Sequence, residues 1–166
     1  NIIAAGGPSE MGGSVVNSGG VRVYEYVDSE WVQLGDTLAN NIDGGQLHYC
    51  SLNSAGTIVA IGGTQANSTD GIVVVYEWSG SSWGILGSAI DGEADSDEYF
   101  GGSLDLSEDG TIIVIGAWNS GTEEHGLVRI YEYVNSDWSQ IGDDIVGEET
   151  NRDRVRFGFS SAIATP

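Results

Sequence analysis

Five carboxylates crowd into eight residues at Asp91, Glu93, Asp95, Asp97 and Glu98. Like charges at that density repel unless a cation or water screens them, and oxygen donors at alternate positions suit a hard ion such as Ca2+. The corresponding stretches elsewhere do not repeat the pattern: 148–153 balances its acids with Arg152, and Asn40, Asn41 and Asp43 are nearly neutral. A metal needed by a repeated fold recurs with the repeat, so a solvated acidic loop stands beside the metal reading. Glu25, Glu77 and Glu132 each follow a tyrosine, a recurrence that suits a structural role, since catalysis needs only one special copy. His48 and His125 are far apart, no Cys or His stands at metal-ligand spacing, and no Ser-His-Asp set can be drawn. Cys50, the single cysteine, aligns with Leu104 on the apolar side of a strand, so it reads as a small core residue, and an internal disulfide is excluded. Asn67-Ser68-Thr69 is an N-glycosylation sequon in a polar loop, relevant only to a secreted chain.

What must position these groups is a repeat. "YEYVDSEWVQLG" from Tyr24 returns as "YEWSGSSWGILG" from Tyr76 and as "YEYVNSDWSQIG" from Tyr131. Tyr24, Tyr76 and Tyr131 are spaced by 52 and 55 residues, and Trp31, Trp83 and Trp138 keep the same spacing. Between them recur "NIIAAGG", "TIVAIGG" and "TIIVIGA". One unit reads as four short strands with tight turns at Glu108-Asp109-Gly110 and Asn135-Ser136-Asp137, and no window carries a capped 3.6-residue period. The third strand has apolar bulk on both faces, Val128 and Ile130 opposite Tyr131 and Tyr133, as expected of a sheet stacked between two like sheets. Each repeated aromatic anchor can bury roughly 200 Å², an upper bound of ~5 kcal/mol. The expected fold is all-β, with about three four-stranded repeats of 52–55 residues forming propeller-type blades in a partial or assembling propeller. The 1–166 repeat domain divides into an offset first blade at 1–48, a second at 49–102, a third at 103–158 and the start of another at 159–166.

Composition narrows the partners. The 166 residues hold 25 Asp and Glu against five Arg and no Lys, a formal net charge of −20. Nucleic acid and anionic membrane surfaces are poor partners for such a chain, whose one basic cluster is Arg152, Arg154 and Arg156. No run approaches the ~18 apolar residues of a membrane helix. Five Trp, seven Tyr and 26 Gly describe a turn-rich β protein and not an acidic disordered tail.

Phe100-Gly101, Ile115-Gly116-Ala117 and "GLVRIYEY" from Gly126 resemble the FG-GAP repeat of integrin-α-like β-propellers and related surface proteins. Phe157-Gly158 restates the first pair, whereas Gln46-Leu47-His48 has lost it. The resemblance implies calcium as a cofactor, bound by a carboxylate-rich turn. The corresponding turn, Asp105 to Gly110, is about three residues closer to its Phe-Gly pair than in the family, with Ile113 where a closing carboxylate belongs, so a plain hairpin turn competes with a calcium site. The resemblance also implies an extracellular or cell-surface module, structural or adhesive, without enzymatic activity, whose partners are protein or glycan ligands or further copies of itself. Two other readings stand beside it: a fragment of a propeller enzyme acting on glycans, and a subunit of a self-assembling filament or oligomer. Because propellers close with about four to eight blades, three units read as a segment cut from a continuing repeat.

Overall fold

Asp28 and Ser29 adopt φ of 50° and 71°, and Asn135 and Ser136 adopt 52° and 67°. Two successive left-handed residues make the type I′ turn that matches strand twist, and Asp and Asn at its first position tolerate that conformation better than most residues. The computed structural model describes residues 1–8, 19–38, 46–64, 71–93, 99–120, 125–148 and 155–164. Among them no helix occurs, and the strands form three antiparallel sheets, none closed into a barrel.

The first sheet is β1 (Ile2–Gly7), β2 (Gly20–Val27) and β3 (Glu30–Gln33), in that order. The second is β4 (Tyr49–Leu52), β5 (Ile58–Gly63), β6 (Ile72–Trp78) and β7 (Trp83–Ile85), with β8 (Ile90–Asp91) also paired to β6. The third is β9 (Phe100–Leu106), β10 (Ile112–Ala117), β11 (Leu127–Val134) and β12 (Asp137–Gln140), with β13 (Ile145–Val146) also paired to β11. Each sheet is a meander of sequence neighbours, and among the described residues no counterpart of β4 and β9 pairs with β1.

The outer strand of every unit comes in two pieces. Gly35, Gly87 and Gly142 all carry φ near +70°, at 69°, 76° and 69°, a conformation that glycine, lacking a Cβ, adopts without steric cost. Each bends the chain after β3, β7 or β12, so that Leu38, β8 or β13 rejoins the same neighbour further along. The turn into the second strand of a unit is closed by a buried polar side chain: Asn53 Oδ1 accepts from the amides of Thr57 and Ile58 at 2.9 Å, and Ser107 Oγ from Ile112 N at 2.9 Å. Those bonds satisfy amides that burial would otherwise leave unpaired.

Alternation along the central strands creates two cores. Val21, Val23 and Leu47 meet Val59, Ile61, Ile72 and Val74 between the first and second sheets. Ala60, Val73 and Val75, on the opposite face of the second sheet, meet Phe100, Ile113, Ile115 and Leu127 of the third. The second sheet is therefore covered on both faces, as its continuous apolar run predicts. Small residues let the sheets approach: a Cβ on Gly6, Gly62 or Gly116 would overlap the carbonyl oxygen of His48, Gly101 or Gly158.

Candidate functional site

The repeated anchors join one unit to the next. Trp83 Nε1 donates to the Leu34 carbonyl oxygen and Trp138 Nε1 to that of Leu86, both at 2.9 Å. Across the hairpin each tryptophan faces another aromatic ring, Tyr26–Trp31 at 5.0 Å, Trp78–Trp83 at 5.2 Å and Tyr133–Trp138 at 5.3 Å. Tyr76 is buried in the first core, Tyr131 meets the edge of Phe100 at 6.4 Å, and Tyr24 is half-buried on the first sheet. Trp31, for which no such bond to another unit occurs among the described residues, is exposed.

The acids singled out by sequence divide by placement. Asp91 lies in β8, and Glu93 Oε1 sits 3.1 Å from Arg129 Nη2; Asp95, Asp97, Glu98 and the sequon residue Asn67 lie outside the described residues. Arg129 is buried, and its Nε and Nη2 donate to the two oxygens of Asp144 at 3.0 Å each, with its guanidinium 5.8 Å from the Phe100 ring. That fork holds the Asp144 carboxyl below the usual carboxylate range. The Asp105 to Gly110 turn does not fit a calcium ion. Asp105 accepts from Ser51 Oγ at 2.7 Å and from Ile163 N at 3.0 Å, tying three consecutive units together. Asp109 Oδ1 accepts from Ser107 Oγ, Thr111 N and Thr111 Oγ1, and these bonds, led by the Thr111 amide, lower its pKa. All three bonds fall on that one oxygen and close the turn. Glu77 and Glu132, whose recurrence suits a structural role, are exposed. Cys50 pairs across the sheet with Ile61 and packs on the first core, and burial raises its thiol pKa, so it is a core residue.

A cluster that sequence reasoning missed stands at one end of the third sheet. Tyr99 and Trp118 stack at 4.5 Å with 27° between their planes, and Phe159 meets Trp118 edge-on at 5.8 Å. The Arg156 guanidinium lies 5.3 Å from the centre of the Trp118 ring. Backbone geometry brings these groups together. Tyr99 and Arg156 occupy left-handed positions, φ 51° and 54°, each directly before a Phe-Gly pair, and Trp118 follows the end of β10. Gly102 leaves room for the indole, because a Cβ there would lie 2.8 Å from Trp118 Nε1. None of the four side chains repeats. By register, the positions of Trp118 and Phe159 are held elsewhere by Thr64 and Gly102. The signal was present as bulky aromatics where other copies are small. Phe159 is 62% exposed and Trp118 half-exposed, so aromatic faces and a cationic fork are open to a ligand. Aromatic faces stack on apolar C–H surfaces, and a guanidinium donates to hydroxyl or carboxylate oxygens.

No family model matches the chain, and no curated protein matches it. Among solved structures it is similar to a hypothetical selenium-binding protein from Sulfolobus tokodaii, with TM-score 0.50 and 10% identity over 81% of this chain. The chain spans 38% of the length of that protein, and at such identity the likeness is one of fold alone.

Proposed function

We propose that the chain is a run of β-propeller blades acting as an extracellular or cell-surface binding module without enzymatic activity, and that the Tyr99, Trp118, Arg156 and Phe159 cluster takes a glycan. The observation that carries this reading is that cluster, where non-repeating aromatic side chains from three segments converge beside a guanidinium and stay accessible. A pyranose ring presents a flat C–H face to an indole and ring hydroxyls to a guanidinium, which is the chemistry this surface offers. The repeated tryptophans, Asp105 and Asp144 supply the scaffold, since their polar atoms are committed to unit-to-unit and strand-to-strand bonds. A net charge of −20 suits a chain kept soluble in salt-screened surroundings.

Retention on a panel of immobilised neutral and acidic oligosaccharides, followed by mass analysis of the sugars, tests the proposal. Retention of at least one class with its mass unchanged supports it. Cleaved product places the chain among glycan-processing enzymes, and retention of none overturns the glycan reading.

A further inference from the structure

A second pair of rings stands on the sheet next to the aromatic cluster. Tyr49 opens β4 opposite Gly62, and Ser103 stands opposite Gly116 at the same place in the third sheet. Ser103 serves the junction between units, its hydroxyl donating to the Gly158 carbonyl oxygen at 2.8 Å. Tyr49 instead carries a ring that is 38% exposed and lies 4.2 Å from the His48 ring, with 35° between their planes. The imidazole is itself held in place: Nδ1 bonds the Gln46 carbonyl oxygen, and the His48 amide donates to Gly62 O at 3.0 Å. Strand alternation sets the direction of the Tyr49 ring. Cys50 packs on the first core, so Tyr49 and Ser51 turn toward the third sheet, where Ser51 Oγ bonds Asp105.

Tyr49 and Trp118 therefore share one end of adjacent sheets. Gly62 is the last residue but one of β5, as Gly116 is of β10, and Trp118 directly follows β10. Gly102 lies between the two sheets at this end: a Cβ there would be 3.1 Å from Thr64 Cγ2, just after β5, and 2.8 Å from Trp118 Nε1. Resting on the glycan reading above, we infer that the ligand is an extended neutral glycan crossing from the third sheet to the second, with Tyr49 as a further sugar-stacking residue. Stacked sheets lie about 10 Å apart, more than one pyranose ring covers, so a single sugar cannot reach both platforms. Linked sugars can, and the second contact is then intramolecular, which raises affinity. Sugars joined through equatorial bonds keep flat C–H faces for both rings. A neutral chain fits because the net charge of −20 opposes a polyanion.

Calorimetric titration with glucose and N-acetylglucosamine oligomers of all-equatorial linkage, from disaccharide to hexasaccharide, tests the inference. Wild-type affinity is expected to rise at least about tenfold over these lengths. Tyr49→Ser, the side chain that the third sheet carries at this place, should leave the disaccharide affinity unchanged and remove most of that rise. Tyr49→Phe, which keeps the ring, should retain it. Equal affinity for every length overturns the inference and leaves the glycan reading standing, as does a Tyr49→Ser loss that is the same for short and long oligomers. Binding of neither series, while the panel retains another sugar, likewise overturns the inference alone; retention of no sugar overturns both.

Discussion

Trp138 Nε1 lies 2.9 Å from the carbonyl oxygen of Leu86, a residue 52 positions earlier and in the preceding unit. The bond couples the outer strand of one sheet to the bend of the one before, beside the left-handed Gly87. Trp138→Phe keeps most of the ring and removes the donor, so a loss of about 1 kcal/mol is expected in urea unfolding. Trp138→Ala also abandons the half-buried ring and costs about 2–4 kcal/mol. Equal losses for the two would show that the hydrogen bond contributes everything and the packing nothing.

The Arg129 fork sets an acid limit on stability. Asp144 has its pKa lowered by the guanidinium, so its contribution is full above the ordinary aspartate pKa and disappears as pH falls through the lowered one. Asp144→Asn, which removes the charge at every pH, should be less stable than wild type by about 1–2 kcal/mol at pH 7. That difference should shrink as pH is taken from 7 down through the ordinary aspartate value of about 4 and further into acid. Thermal midpoints of both proteins across this range check the sign; a difference that widens in acid contradicts it.

Close approach of sheets, more than backbone conformation, makes Gly62 necessary. Gly62→Ala drives a methyl into the Gly101 carbonyl and to 2.8 Å from Leu104 Cδ2, at an expected cost of about 3 kcal/mol. Gly84, in β7, has nothing within 4 Å of an added Cβ, so Gly84→Ala should shift stability by less than about 0.5 kcal/mol. Denaturant midpoints of the two variants rank the effects directly.

Calcium should leave the melting temperature unchanged within about 1 °C up to about 1 mM, because Glu93 is held by Arg129 and Asp109 closes its own turn. A rise of several degrees would place the ion among the acids of 91–98 instead.

The periodic parts of the molecule were legible in the sequence. Tyr76, Trp83 and their copies fix the unit length because the same packing problem is solved in each unit, and the Asp28-Ser29 and Asn135-Ser136 turns follow from turn chemistry. The second piece of each outer strand was not legible, since two residues such as Ile90 and Asp91 carry no pattern of their own and are defined by pairing with β6. Asp105 entered the sequence reading only as the start of the turn that the resemblance aligns with a calcium loop; its partners, Ser51 and Ile163, lie 54 and 58 residues away. The aromatic cluster escaped for the same reason. Tyr99, Trp118 and Phe159 belong to three separate segments, and only sheet stacking brings them within ring contact.

The most direct test of the proposed function is calorimetric titration of wild type and Trp118→Ala with an oligosaccharide that the panel retains. Trp118 lies in a loop at the sheet end, so its loss should leave the melting temperature within about 3 °C while weakening binding by at least about tenfold, or 1.4 kcal/mol. Equal affinity for the two folded proteins would contradict the assignment of the cluster as the ligand site.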